Sequence, residues 1–242
     1  MHAAVPPVSE LLIELEQVGV AFHAQRSIGG GRYWALEHVD LQLRRGERLG
    51  VIGRNGAGKS TLLRVLAGIL APDRGRVRRA PVSCQLMSLA LGFLPHLSGR
   101  DNAVLSGLLL GLRRREIIAR LTAIHEFSEL GDFFDQPIAT YSVGMNMRLA
   151  FSVALQVEPD VLLIDEVLSV GDAEFQEKSG AALRARMGEG HTVVLVSHDE
   201  AQIAERCDRV LWIEHGRSVA EGPRDEVFAA YHRDFHHPVA AA

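Results

Sequence analysis

The 242-residue sequence is poor in several features that would each point to a function. It has two cysteines, Cys84 and Cys207, too few for a disulfide framework and in neither of the spacings, CxxC or CxxH, that suggest zinc. It has no excess of basic charge: the formal net charge is −4 and the pI is near 6.3, so the broad positive field that usually holds nucleic acid is missing and no nucleic-acid partner is expected. No apolar run is long enough to cross a bilayer, since the most apolar tract, Val104 to Leu112, is roughly half the ~20 residues required. The N-terminal "MHAAVPPVSELL" lacks a basic segment followed by an apolar run, so a short lead-in is expected there and not a signal peptide. No repeat of fixed period stands out, and the one small biased cluster, "GGGR" at Gly29 to Arg32, reads as a loop. These absences leave a single cassette suited to a reducing cytoplasm, with any membrane contact made through a partner.

What remains is an ordinary globular composition, 47% hydrophobic and 23% charged. "LIELEQVGVAF" and "EHVDLQLRRGERLGVIG" carry β-rich apolar patterns with a turn at Arg45 and Gly46, which predicts that the chain opens as sheet. "KSTLLRVLAGIL" predicts a helix ending before Pro72, and "GRVRRAPVSCQLM" is strand-like again. From about residue 95 to about 158 the apolar residues take helical spacing, which predicts a helical lobe inserted into an α/β body. The triplet Arg113, Arg114 and Arg115 lies between two helical runs there, a solvated face or turn with a partner site as the alternative. From Asp160 the pattern returns to α/β, with a helix around Phe175 to Arg186, another from Glu200, and a terminal hairpin in "RVLWIEHGRSVAEG". Val161 to Ile164 and Val193 to Val196 are short apolar strands without alternation, as suits a sheet covered on both faces. The fold class is therefore α/β, with a core at about 10–94 and 159–222, a lobe at about 95–158 and a short tail at 223–242 whose histidines are expected to be disordered.

"GRNGAGKST", Gly53 to Thr61, satisfies GxxxxGKS and lies between a predicted strand and a predicted helix, the context a phosphate loop needs. Gly53, Gly56 and Gly58 let successive amides point inward at a helix start, with Asn55, Ala57 and Thr61 in the same wrap. Lys59 would reach the β- and γ-phosphates and Ser60 would ligate Mg²⁺. "VLLIDE" ends a buried strand in two carboxylates, costly unless neutralised: beside a phosphate loop, Asp165 would hold Mg²⁺ and Glu166 would polarise the attacking water. In "VVLVSHDE", His198 follows another strand at its carboxyl end, where open α/β sheets bind ligands. In "TYSVGMNMRLAF", Ser142 and Gly144 open a helix whose apolar positions recur at Met145, Leu149 and Val153; that end is either an ordinary N-cap or an anion site.

The phosphate loop, "TYSVGM", "VLLIDE", "LSVGD" and "SH", in that order and at those separations, resemble the nucleotide-binding subunit of ABC transporters over nearly the whole chain, from about Leu12 to Gly222. The resemblance implies a phosphate-loop NTPase core with a mixed sheet, an N-terminal antiparallel β part and an inserted helical lobe. It implies that Ser142 and the Gly144 backbone bind the ATP held by the other copy of a homodimer. Asp172 matches the loop that couples the two sites, and His198 the histidine that senses the γ-phosphate. An aromatic ring stacks on adenine in this family, a role for which Phe22, Tyr33 and Trp34 compete. "YSVGM" stands for the usual LSGGQ, retaining the serine and second glycine. The family's glutamine at the lobe junction has no counterpart: the register falls near Ser88 or Leu89, and Gln85 lies too early. "LALGFLPHL" nearby is either a docking site for a membrane subunit or a packed loop.

"YSVGMNMRLAF", the long linker before "WALEHV" and "IDEVLSVGDAEFQEKS" further resemble the subfamily that exports lipid-linked polysaccharides such as O-antigen, capsule and teichoic-acid precursors. The expectation is an ATPase at the cytoplasmic face of the inner membrane, using ATP and Mg²⁺ to drive a separate permease. The alternatives are an exporter of a drug, lipid or peptide, a soluble ATPase of the same family acting on nucleic acid or ribosomes, and a small-molecule kinase with a phosphate loop.

Overall fold

The computed structural model describes residues 10–23, 32–87, 92–165, 172–188 and 190–236. Two compact units divide the described residues: 10–23, 32–86, 160–165 and 190–236 form one, and 87, 92–159 and 172–188 the other.

The first unit is built on a mixed sheet. In chain order its strands are β1 (Leu11–His23), β2 (Arg32–Arg44), β3 (Arg48–Ile52), β4 (Arg74–Arg79), β5 (Cys84–Met87), β6 (Val161–Ile164), β7 (Thr192–Val196), β8 (Arg209–Glu214) and β9 (Arg217–Pro223). Their order across the sheet is β4-β1-β2-β9-β8-β3-β7-β6-β5. The segment predicted as one strand-like run after Arg74 is thus two strands at opposite edges of the sheet, with Pro81 in the link between them. β1 pairs antiparallel with both β2 and β4, the expected N-terminal β part. β3 lies parallel to both β7 and β8, and β6 parallel to β7. Every residue of β6 and β7 is buried, which is why these strands read as unbroken apolar runs.

Helix α1 (Lys59–Leu66) follows β3 and buries Leu62, Leu63, Val65 and Leu66 in the sheet's core, each large aliphatic contributing about 1.5–3 kcal/mol. Its last carbonyls, Val65 and Leu66, accept from the Arg79 guanidinium at 3.0 and 2.8 Å, so a strand residue completes the helix end.

The second unit is helical: α2 (Gly99–Leu109), α3 (Arg114–Ser128), α4 (Val143–Ala154) and α5 (Ala173–Arg186), with short 3₁₀ turns at Gly131–Asp135 and Ile138–Thr140. Ala103, Ile117, Ile124, Phe134, Tyr141, Leu149 and Val153 form its core. Asn102, fully buried, is satisfied on both ends of its amide: Oδ1 accepts from the Leu94 amide and Nδ2 donates to the carbonyls of Leu94, Leu97 and Ser98. The carbonyl end of α4 is closed by two arginines, Arg120 donating to Gln156 and Arg186 to Leu155 and Val157. Arg113 begins α3, its amide donating to Glu116 at 2.7 Å, and Arg114 and Arg115 are exposed, a helix start with a solvated face.

This division differs from the sequence expectation in two places. The helix predicted around Phe175 to Arg186 groups with the helical unit because Phe175 packs edge-on to Phe127 and Phe151, an aromatic cluster invisible to helical periodicity. The expected tail is corrected more sharply: Arg224–His236 forms helix α7, which buries Val227 and sets Tyr231 edge-on against Trp212 of β8. His232, expected in a disordered tail, bonds Glu200 at 2.7 Å.

Among the described residues, no helix is long and apolar enough to cross a membrane. The expectations at residues 1–9, Gly29 to Gly31, Ser88, Leu89, Glu166, the first four residues of "LSVGD" and residues 237–242 lie outside the described residues.

Candidate functional site

In the first unit, three parallel strands deliver the motif residues to one edge. Val51 of β3 pairs with Val196 of β7, and Ile164 of β6 with Leu195 of β7, so the carboxyl ends of β6, β7 and β3 lie side by side. Asp165, Ser197–His198 and the loop from Gly53 follow those ends directly. His198 is exposed there, and Asp199 caps helix α6 (Glu200–Arg206), its Oδ1 accepting from the Ala201 amide at 2.9 Å.

The loop's shape is dictated by backbone crowding. Gly53 (φ 144°) and Gly58 (φ 108°) hold angles that side chains rarely adopt; a methyl group would lie 2.0 Å from the Ile213 carbonyl oxygen at the first and 2.4 Å from that of Ala35 at the second. Gly58 is the N-cap of α1, with no side chain bonded across the cap and no acid in the first turn, so the amides and the dipole are left for an anion. Lys59 is nearly buried, and its Nζ donates to the carbonyls of Gly53 at 2.7 Å and Arg54 at 3.0 Å. Burial pushes its pKa down, opposed by the charges of Asp165 and Glu214.

Two supports were missed by sequence reasoning. Glu214, at the end of β8, supplies part of that negative potential. The turn after it, His215–Gly216, braces the loop: the Gly216 amide donates to Ala57 at 3.0 Å, and the Gly216 carbonyl accepts from the Glu37 amide at 2.7 Å. The hairpin itself is legible in "IEHGR", but nothing in the sequence says that its tip meets the loop.

The three aromatic candidates are now distinguishable. Phe22 and Tyr33 are cross-strand partners with ring centroids 5.9 Å apart; Phe22 packs on the core whereas Tyr33 is 55% exposed. Trp34 is already covered, with the Arg74 guanidinium 4.1 Å above its ring.

The second unit holds the other motif residues. Ser142 is the N-cap of α4, its Oγ accepting from the Met145 amide at 3.1 Å, so the hydroxyl retains a proton to give. There is no acid in the first turn. Val143 is 76% exposed at the tip. A methyl group at Gly144 would meet nothing closer than Ser142 Oγ at 3.7 Å. Asp172 caps α5 through Phe175. Its carboxyl lies below the usual range because it accepts from that amide and, second, from Arg148. Leu94 is 40% exposed while Phe93 packs against the lobe core, so the described part of "LALGFLPHL" is partly surface and partly packed.

A family profile described as ABC transporter matches residues 36–169. The O-antigen export system ATP-binding protein RfbB of Klebsiella pneumoniae is 45% identical over 213 residues, 87% of each chain. The teichoic acids export ATP-binding protein TagH of Lactococcus lactis is 45% identical over 202 residues, 83% of this chain and 43% of that longer one. Among solved structures, the ATP-binding subunit of an ABC transporter superposes with a TM-score of 0.73 at 23% identity, covering 91% of this chain and 93% of the other. A dimeric ATP-binding cassette, MJ0796, bound to ADP and phosphate, gives 0.69 at 22% identity over 88% and 99%. The phosphate-loop geometry and these similarities lead to one conclusion: the chain belongs to the ABC transporter family and is an ATPase cassette of it.

Proposed function

We propose that two copies of this chain enclose two ATP molecules, each held by the phosphate loop of one copy and completed by the α4 tip of the other, and that the cycle drives export of a lipid-linked polysaccharide. The observation that carries the composite site is Gly144. Glycine in a helix costs about 0.5–1 kcal/mol against alanine, yet nothing within its own unit crowds this position. A glycine with room for a methyl group suits close approach by something outside the chain, and a bare N-terminus suits a phosphate.

The amides from Gly53 through Thr61, including those of Asn55, Gly56, Ala57 and Gly58, receive the phosphates. Lys59 exchanges its two carbonyl partners for phosphate oxygens, whose charge offsets its desolvation. Ser60 would hold Mg²⁺ through its hydroxyl and Asp165 would hold it through the water shell, and the ion, when bound, would draw negative charge from the phosphate oxygens. Glu166 receives a proton from the attacking water and His198 donates toward the γ-phosphate. Ser142 donates its hydroxyl proton, and Gly144 its amide, to the phosphate held by the other copy, while Asp172 links the two sites. The base is received at the Phe22 and Tyr33 pair, with Tyr33 offering the open ring.

The cargo reading is supported by the names of the relatives, an O-antigen export protein and a teichoic acids export protein. On it, the chain sits at the cytoplasmic face of the membrane, held there by a permease subunit. In the cell that makes this protein, Lys59→Ala should strip the polysaccharide from the surface and leave its lipid-linked form accumulated inside. Normal surface polysaccharide in that variant would overturn the cargo assignment.

A further inference from the structure

We propose that Arg148 is a positioning residue that ties Asp172 to the tip of α4, so that the phosphate-completing end of one copy and its coupling carboxylate move as one piece. This rests on the reading of that tip as the second half of a partner's ATP site.

Arg148 lies six residues, about one and two-thirds turns, beyond Ser142, the N-cap of α4. Its guanidinium is forked between two carboxylates from different elements: one nitrogen donates to Glu129 Oε2 at 2.9 Å and the other to Asp172 Oδ2 at 2.6 Å. It also lies over the buried Phe175 ring, 4.8 Å from the centroid, which fixes its plane. Each partner is itself committed. Asp172 spends its other oxygen, Oδ1, on the cap of α5, accepting from Phe175 at 3.1 Å. Glu129, the left-handed C-cap of α3 (φ 54°), gives its other oxygen to Lys178 at 2.5 Å. One side chain of α4 therefore joins the end of α3 to the start of α5. The planar fork matters, since an ammonium is a point charge that cannot hold two carboxylates at fixed angles.

The cleft this network borders, about 680 Å³, is lined by Ser142, Gly144, Met145, Arg148, Glu129 and Asp172. Two carboxylates beside a site meant for a phosphate would repel it. Arg148 and Lys178 together balance the two negative charges, and Arg148 is the cation of the two that touches both carboxylates, so it offsets the repulsion as it positions the pair. Because α4 is a rigid rod between Ser142 and Arg148, a contact that shifts its tip also shifts the donor that holds Asp172.

The test compares Arg148→Ala, Asp172→Asn and the double variant, with Ser142→Ala in parallel, in the full chain with ATP. Melting curves verify folding, and Asp172→Asn, which keeps the oxygen that caps α5, carries the test if Arg148→Ala does not fold. Steady-state hydrolysis should fall about tenfold or more in Arg148→Ala, with the Hill coefficient for ATP dropping toward one, an ordinary size for coupling between sites. Fluorescent-nucleotide affinity of the isolated subunit should stay within about twofold of wild type, because the phosphate loop is untouched. The double variant should be no worse than Arg148→Ala alone, as non-additivity within one network requires. A folded Arg148→Ala or Asp172→Asn variant with wild-type rate and cooperativity, or additive losses, would overturn the inference while Ser142→Ala still loses turnover. A Ser142→Ala variant that hydrolyses normally would overturn the composite-site reading and this inference with it.

Discussion

The Lys59 Nζ lies 2.7 Å from the Gly53 carbonyl oxygen, so the cation proposed to bind the triphosphate is held by the mouth of its own loop. Two neutral carbonyls are weaker partners for a partly desolvated ammonium than phosphate oxygens would be, which favours the exchange. Removing the cation in Lys59→Ala should weaken ATP binding about 10- to 100-fold, the range for a hydrogen bond to a charged group. Nucleotide titration of the isolated subunit reads this directly, and unchanged affinity would remove Lys59 from the phosphate site.

Gly144→Ala separates stability from assembly. In the isolated subunit the change should leave melting unaltered or raise stability by up to about 1 kcal/mol, because the position is helical and uncrowded. ATP-dependent dimerisation, followed by light scattering, should be lost. A variant that dimerised as well as wild type would show that no close approach occurs at this glycine.

Glu166→Gln should abolish turnover while ATP stays bound and the dimer is stabilised, since the proton acceptor is lost and the phosphate contacts survive. Hydrolysis at the wild-type rate would take Glu166 out of the mechanism.

The parts of this design legible in the sequence are those written locally. The phosphate loop, the strand that ends at Asp165 and the serine cap of α4 each depend on residues within one turn or one strand, so spacing suffices to find them. Long-range partnerships are not written that way. Glu214 approaches Lys59 from another strand, Gly216 braces Ala57 from a hairpin 159 positions on, and Arg148 finds Asp172 at a separation of 24 residues. The final helix escaped for a different reason. Its apolar positions, Val227, Phe228 and Tyr231, are too few among charged neighbours to stand out, and it is packing on Trp212 that orders them.

Tyr141, at the residue before the α4 cap, is a lock within the helical unit. Its hydroxyl donates to the Phe133 carbonyl at 2.6 Å and leaves no room for a side chain on Gly99, where a methyl group would lie 2.1 Å from it. Tyr141→Phe should cost about 0.5–1.5 kcal/mol, the worth of one hydrogen bond, since the Phe133 carbonyl keeps the Gln136 amide as a donor; urea unfolding measures it. Burial, and then the charge of Asp135, push the phenol up to about 12 from its ordinary 10.0. Because the folded state holds the proton more tightly, this contribution is complete below pH 10 and is lost as pH rises toward 12. The stability gap between wild type and Tyr141→Phe should therefore narrow across that window, and a gap constant through it would show that the phenol is not buried in its neutral form.

The division of one ATP site between two copies is tested most directly by counting trapped nucleotide. Mixed dimers are assembled from a Lys59→Ala copy and a Ser142→Ala copy, both also carrying Glu166→Gln so that ATP is held and not consumed. If Lys59 of one copy and Ser142 of the other serve the same ATP, one site carries both lesions and its twin carries neither. The result expected is one tightly retained ATP per mixed dimer, with none in either parent dimer. Mixed dimers that retain no more ATP than the parents would contradict it, since each copy would then be completing its own site.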